Sequence, residues 1–521
     1  MSTKTLTESK TKSYKKVQEL ESLASILSEK RTEGAKIAHC HGVFDLLHIG
    51  HIRHFEAAKK KADLLIVTVT PDRYVNKGPH RPAFTETLRV EAIAALDSVD
   101  YVALNHWPTA VEAIQLLKPH WYVKGSDYKN AAEDFTEGIT AEEAAVRSVG
   151  GELVFTEEIT FSSSRLINQH FSSFSKEVTD YLRDFSKRYS AGDVIGAING
   201  SKPLKVLCAG DTIIDEYQYC EAIGKSSKEP MLALKRLSTE KFAGGVLAVA
   251  NHVANFCDHV GLTTMLGSEH SQENFIRESL KDNINPTFLR RTASPSTVKR
   301  RFVESYFFTK MMELYEINDA LLDAKDNEDL CRVLEEEVPK YDVVIVADFG
   351  HGMLTKEAIA ILCEKAAFLA VNAQTNAGNI GYQSVQKYKR ADFISMAENE
   401  IRMETRDRRG ELKTMILDLA EKIDCPRISV TRGKYGCISY NQSEGFFETP
   451  ALAGQVLDRM GAGDSYFALT ALQVARRVPT EVVGFIGNAV GAQAVATVGH
   501  RRFIERIPLL KQIESLLKQH A

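Results

Sequence analysis

A chain of 521 residues is too long to close around one hydrophobic core, so two domains or three are expected. Its 44% hydrophobic content is ordinary for a globular protein, and the longest apolar runs, such as "DLLIV" and "DVVIVA", fall far short of a membrane span. A formal charge of −4 gives no footing to an electrostatic nucleic-acid binder, so small molecules rather than nucleic acid or membrane are the expected partners.

The opening "MSTKTLTESKTKSYKK" is polar and lacks the apolar stretch of a secretory signal, which places the expected site of action in the cytoplasm. The eight cysteines are scattered without a C-x-x-C pair, and several sit in strand-like segments ("KVLCAG", "GCISY"), as suits reduced core thiols. Residues 14 to 34 read as one amphipathic helix, so 1–35 is taken as a helical N-terminal segment.

The first sheet grammar begins with "AKIAHCHGVF", passes through the helix "HIGHIRHFEAAKKKA" and returns as "DLLIVTVTPD", a βαβ unit of parallel type. The turn at Gly42 opens the helix that carries His48 and His51. Spaced three apart, both imidazoles share one helical face at the end of the sheet where open α/β folds bind ligands. Free N–H groups and the positive dipole at that helix start favour phosphate. A solvated pair and a metal site are the alternatives, although a metal needs further ligands that this spacing does not supply. Gly42 either lets backbone approach a nucleotide or is a plain turn glycine. Lys77 and Arg81, on a polar loop, are candidates for a triphosphate or are solvated charges. The run Ser162, Ser163, Ser164, Arg165 is either an anion cradle at a helix start or an ordinary serine cap.

Three further segments follow in order: "NKGPHRPAFTETLRVEAIAALDSVDYV", "KPHWYVKGSDY" and "TFSSSRLINQHF". Together with "HIGH" as an H-x-G-H signature, they resemble the cytidylyltransferase-like nucleotidyltransferases over residues 36–171. The likeness is greatest to the adenylyltransferase half of the bifunctional heptose kinase/adenylyltransferases. It implies a Rossmann-like domain in which a sugar phosphate oxygen attacks the α-phosphate of ATP or CTP and pyrophosphate leaves. It also implies that His48 and His51 hold phosphate rather than metal, and that the serine-rich segment takes the β- and γ-phosphates. Asp45 and Asp127 fall on the sugar-phosphate and ribose sides, and magnesium bridges the triphosphate. His41 and His54 are left as structural or surface residues.

Residues 172–203 are mixed polar, helical in pattern and end in Asn-Gly and a proline, which reads as a linker. From Leu204 to residue 521 the segments "GDTIIDEY", "AGGVLAVANHVA", "VVIVADFGHGML", "ISVTRGKYG" and "LDRMGAGDSYFA" resemble the ribokinase/phosphofructokinase-B family of sugar kinases. In "GAGD", Gly461, Ala462 and Gly463 open a helix whose N–H groups can form an anion hole, and Asp464 is placed to take the proton of an attacking sugar hydroxyl. The resemblance further implies Asp215 as a sugar-hydroxyl ligand and Gly244 and Gly245 as the sugar-site glycine pair. Thr431, Arg432 and Gly433 fall in the ATP-side loop, Asn488 on the helix beside adenine, and Glu400 where the family orders water on magnesium.

Several positions depart from the heptose kinase pattern. Ala248 stands for an asparagine, "NAQ" at Asn372 to Gln374 for D-P-K, Ala397 for an asparagine, and Met460 for a threonine. Each removes a polar or charged group, so the acceptor is expected to differ from, or be poorer in anionic groups than, heptose 7-phosphate. The expected whole is α/β, two doubly wound parallel-sheet domains, acting as a bifunctional and homodimeric enzyme that makes a nucleotide-diphosphate sugar of the ADP-heptose type. The alternatives are a CTP-dependent polyol-phosphate cytidylyltransferase and a kinase half that serves only as sensor or scaffold.

Overall fold

The structure, a computed structural model, describes residues 15–75, 82–125, 138–156 and 174–517. The chain divides into two compact units, Met1–Ser175 with Leu510–Ala521, and Lys176–Leu509.

In the first unit, β1 (Ile37–Gly42), β2 (Leu64–Val69), β3 (Tyr101–Leu104), β4 (Trp121–Lys124) and β5 (Glu152–Phe155) form a parallel sheet in the order β3-β2-β1-β4-β5. The central strands read as near-continuous apolar runs because both faces are covered: Ala38, Cys40, Leu65 and Val67 meet Phe55, Ala58, Val90 and Ile93 on one side. On the other, Ile37, Ile66 and Ala103 meet Leu20, Leu23 and Leu27 of the helix Leu20–Thr32. The strand order reverses between β1 and β4, so the crevice at their carboxyl ends is the place for a ligand. The amphipathic helix expected over 14–34 is shorter than read. Val17 bridges to Val102 and Gln18 N–H donates to the Val102 carbonyl at 2.9 Å, so this stretch runs extended beside β3 before the helix begins.

The second unit contains β6 (Lys205–Gly210), β7 (Thr212–Lys225), β8 (Leu232–Gly245), β9 (His259–Glu269), β10 (Ile284–Pro295), β11 (Val298–Glu304), β12 (Thr309–Glu316), β13 (Val343–Asp348), β14 (Leu369–Ala373), β15 (Phe393–Ala397), β16 (Arg427–Thr431), β17 (Cys437–Asn441) and β18 (Gly445–Thr449). Its large sheet runs β10-β9-β6-β13-β14-β15-β16-β17-β18, parallel as far as β16 and antiparallel beyond. A second, mixed sheet, β12-β11-β7-β8, grows from the end of β6 and was not legible as a separate layer.

The segment expected to be a linker contains two helices, Lys176–Ser186 and Ala191–Asn199, both within the second unit. Val178, Leu182 and Phe185 form a buried stripe inside its polar pattern. The Phe185 ring stacks on Phe485 at 4.5 Å, and Arg188 pairs with Glu481 at 2.6 Å. The last residues, Leu510–Ala521, expected with the second domain, cluster with the first unit. All eight cysteines are free thiols. Among the described residues no helix is long and apolar enough to cross a membrane.

Candidate functional site

In the first unit β1 ends at Gly42, where a Cβ would come to 3.0 Å from the Phe44 ring. Phe44 itself takes φ 49°, so the chain turns sharply and packs the ring edge-on against His51 at 5.3 Å and Phe55 at 5.1 Å. His48 is the N-cap of the helix Ile49–Lys59, its Nδ1 accepting the Gly50 N–H at 3.1 Å. That bond fixes the tautomer: with Nδ1 an acceptor, the neutral ring carries its proton on Nε2 and presents a donor. Burial lowers the His48 pKa, which favours the neutral ring. The His51 ring stacks on it at 3.9 Å and 25°. The two histidines therefore form one stacked pair at the start of a helix, as their spacing predicts.

The neighbouring histidines are structural, and none is a surface residue. The Thr68 hydroxyl joins His39 Nε2 at 2.7 Å to His41 Nδ1 at 2.8 Å, and His54 Nδ1 meets the Thr156 hydroxyl at 2.9 Å. Burial, with the Lys124 ammonium nearby, brings His39 down to about 3 and His54 to about 4.

Asp45 is 2% exposed and accepts the N–H groups of Ala83 at 2.6 Å and Phe84 at 3.2 Å, so it fastens the loop that follows Arg81. Arg89, which the sequence reading passed over, is 1% exposed and donates to the carbonyls of Val43, Thr70 and Phe84 while pairing with Asp72 at 2.5 Å. It ties the loops after β1 and β2 to the segment at 82–85. The signal was present: an arginine on a helix face otherwise made of Val90, Ile93 and Ala94 is buried and needs partners. Lys77, Arg81, Asp127, Ser162, Ser163, Ser164 and Arg165 lie outside the described residues.

In the second unit Asp215, on β7, is 8% exposed and pairs with Arg301 of β11, which also pairs with Glu313. A Cβ at Gly244 would overlap Asp215 Oδ2, and one at Gly245 (φ 58°) would press on the Asp211 carbonyl. Only glycine lets β8 close on the two aspartates. Beside them Lys299 is 5% exposed, its ammonium over the rings of Tyr315 at 5.2 Å and Phe349 at 5.5 Å. Among the described residues it has no hydrogen-bond or ion-pair partner, and burial lowers its pKa. The Nε2 of His351, also buried, lacks a partner as well.

Asp464 lies in the first turn of the helix Ala462–Ala475, which starts after Gly461 at φ 75°, and is 7% exposed. The Gln374 Nε2 donates to its Oδ1 at 2.5 Å, and His500 Nε2 stands 3.6 Å from Oδ2. A Cβ on Gly461 would overlap the His500 ring, while one on Gly463 would meet only Gln374 Nε2, at 3.9 Å. Glu400 spends both oxygens on backbone, accepting from Thr375 N–H at 2.9 Å and Ala397 N–H at 2.7 Å. Burial raises its pKa, and the Asp464 carboxylate adds to the rise. With each Glu400 oxygen already accepting one backbone N–H, its remaining lone pairs suit a water held on magnesium, which keeps most of its waters, rather than the ion itself.

The remaining expected residues sit on the next strand ends. Thr431 closes β16 opposite Ala397, Arg432 lies 3.4 Å from Glu448 and 3.6 Å from Glu398, and Gly433 takes φ 56° in the turn. Asn488 donates to the Gly484 carbonyl at 2.9 Å and to Cys437 Sγ at 3.0 Å, which ties its helix to β17. Ala248 is buried, and Met460 N–H donates to Asp458 at 3.1 Å. Asp458, not singled out from sequence, also accepts from Tyr217 Oη at 2.8 Å and Gly499 N–H at 3.0 Å and pairs with Lys310, binding the loop before the GAGD turn to the small sheet.

Comparison with known proteins gives each unit a kinship. Residues 39–169 match the cytidylyltransferase-like family. The protein called bifunctional protein HldE of Geobacter metallireducens is 34% identical over 168 residues, 31% of this chain and 32% of that protein. HldE of Trichlorobacter lovleyi is 39% identical over 138 residues, 26% and 27% of the two chains. The chain thus spans about a third or less of the length of the curated relatives it matches. A solved structure of Arabidopsis thaliana ribokinase complexed with ribose and ATP aligns with 60% of this chain and 99% of its own, at 14% identity and a TM-score of 0.46. Residues 203–506, more than half of the chain, match the pfkB family carbohydrate kinases, and to that family the chain belongs.

Proposed function

We propose that the protein is a bifunctional, cytoplasmic enzyme of nucleotide-sugar biosynthesis. The second unit phosphorylates a sugar or sugar phosphate with ATP. The first transfers a nucleotidyl group from ATP or CTP to a sugar phosphate and releases pyrophosphate. A product of the ADP-heptose type is favoured by the likeness of the first unit to the heptose kinase/adenylyltransferases and by its identity to HldE. The observation that carries the reading is the buried Asp464 carboxylate in the first turn of a helix whose free N–H groups suit a transferring phosphoryl group.

In the kinase site Asp464 takes the proton of the acceptor hydroxyl, the oxygen attacks the γ-phosphorus, and ADP leaves. Bound magnesium supplies charge neutralisation along the phosphates. The unpaired Lys299 ammonium and the orphaned His351 Nε2 support an anionic substituent on the acceptor, so that of the two sequence expectations, a different acceptor or one poorer in anionic groups, they favour the first. In the transferase site the Nε2–H of His48 serves as a donor toward the α-phosphate, where charge builds up. Exposed apolar side chains on the small sheet, among them Leu232, Leu237, Met312 and Leu314, support a homodimer.

One observation favours a second reading, in which the kinase half is a sensor: Gln374 already occupies an oxygen of Asp464. The two readings separate when the whole protein is given ATP and a panel of hexoses, heptoses and their phosphates. Release of ADP with a phosphorylated sugar supports the enzyme, and ATP binding without turnover on any acceptor supports the sensor.

A further inference from the structure

The two oxygens of Asp464 have unequal surroundings. Oδ1 accepts from the Gln374 carboxamide at 2.5 Å, whereas the nearest ring nitrogen of His500 stands 3.6 Å from Oδ2, too far for a hydrogen bond. Gln374 is itself held firmly at the end of β14. Its N–H donates to the Asp348 carbonyl at 2.8 Å, and the next residue, Thr375, donates to Glu400 at 2.9 Å. Two residues earlier, Asn372 Nδ2 donates to the Ser395 carbonyl at 2.7 Å. Gly463, whose absent Cβ would have Gln374 Nε2 as its nearest neighbour, leaves the carboxamide room to reach the carboxylate.

We infer that Gln374 is a positioning residue for the kinase base: it engages Oδ1, fixes the carboxylate torsion and leaves Oδ2 to receive the proton of the acceptor hydroxyl. The inference rests on the kinase reading of this site. In the step it serves, the hydroxyl O–H bond breaks with its proton passing to Oδ2. The oxygen forms a bond to the γ-phosphorus, and the bond from that phosphorus to the β,γ-bridging oxygen breaks, its electron pair leaving on ADP. An amide donor orients the carboxylate without neutralising it, where a lysine would add a full charge. Through its bond to Thr375 N–H, Glu400 acts one step behind, by pinning the loop that carries Gln374.

The titratable side chains facing Asp464 among the described residues are His500, from the segment after the helix Thr480–Ala494, and Glu400, from the helix Glu398–Glu404. Without the amide the carboxylate loses the bond that fixes its torsion, so Oδ2 is presented to the acceptor hydroxyl less often. The test uses the full chain with ATP and the acceptor found above. Gln374→Leu is expected to lower kcat by roughly 10- to 100-fold, less than the loss of the base itself, with the KM for ATP within about twofold. Gln374→Lys, which restores a donor to Oδ1, is expected to recover most of kcat. Made alongside each, His500→Gln should leave the direction of these changes the same.

A Gln374→Leu protein with the wild-type kcat overturns the inference while leaving the kinase reading intact. Should the leucine variant fail to fold, Gln374→Met, of nearly the same shape and without a donor, decides in its place: a wild-type kcat there overturns the inference. A wild-type protein that phosphorylates no acceptor overturns both the inference and the reading beneath it.

Discussion

On the proposed reading the two units handle phosphate at the same kind of place, the start of a helix at the carboxyl end of a parallel sheet, with different side chains. The first presents a stacked pair of imidazoles, one with its pKa lowered by burial, and the second a buried carboxylate. The difference follows from the nucleophile. A sugar phosphate, with a second pKa of about 6, is already ionised at pH 7, so its transfer site needs donors where charge builds up on the α-phosphate and no base. A sugar hydroxyl holds its proton at that pH, so its site needs a base beside the helix N–H groups. On this reading phosphate binding is the shared feature, and the added side chain decides the reaction.

The sharpest way to break this contrast is to remove the base. Asp464→Asn keeps the shape but cannot take the hydroxyl proton, and it is expected to lower ATP-dependent phosphorylation by about 10³-fold or more, read as ADP release, while pyrophosphate release continues. The converse substitution, His48→Ala, is expected to slow pyrophosphate release by roughly 10²- to 10³-fold, the loss typical of an oxyanion donor, with ADP release unchanged. If His48→Ala left pyrophosphate release intact and a bound transition metal were lost instead, the histidines would be ligands and the contrast would fail.

A third change sharpens the structural side. Arg89→Ala strands three backbone carbonyls and Asp72, and a loss on the order of 3 kcal/mol is expected in the unfolding of the first unit, with the second unaffected. Denaturant titration followed through each unit's own signal checks this.

An effect of similar size is a pH slope of opposite sign in the two units. His39 and His54 titrate near 3 and 4 when folded, against about 6.5 when unfolded, so their contribution is present above pH 6.5 and is lost as pH falls toward 4. Asp211 is raised to about 6 by burial and the neighbouring Asp348, against about 3.9 unfolded. Its contribution is therefore present below pH 3.9 and is lost as pH rises through 6. Thermal unfolding between pH 6.5 and 4 should show His54→Gln flattening the slope of the first unit and Asp211→Asn that of the second, by about 1.4 kcal/mol for each pKa unit removed.

What could be read from the sequence was local. The spacing of His48 and His51 places them on one helical face, and the pairs Gly244–Gly245 and Gly461–Gly463 mark positions where a side chain has no room. Contacts between residues far apart in the chain were not legible. Nothing in the segment around Gln374 says that its carboxamide meets Asp464, ninety positions on, or that Glu400 is occupied by the backbone of Thr375 and Ala397. Arg89 escaped because a lone arginine in a helix reads as a solvated charge until its burial is seen. That the helices at 176–199 belong to the second unit rather than to a linker escaped because three buried side chains are a thin stripe in a polar segment. The small sheet escaped because its strands are half exposed and alternate without a strong apolar run.

The central claim is that one chain carries two separate phosphate chemistries, of which only the second uses a carboxylate base. The most direct test is mass spectrometry of the products formed when the intact protein receives ATP, CTP and a panel of hexoses, heptoses and their phosphates, alongside its Asp464→Asn form. The account predicts a newly phosphorylated sugar and a nucleotide-diphosphate sugar from the wild-type chain. From Asp464→Asn given sugar phosphates it predicts the nucleotide-diphosphate sugar alone. Formation of the phosphorylated sugar by Asp464→Asn at the wild-type rate, or loss of both products together, would contradict it.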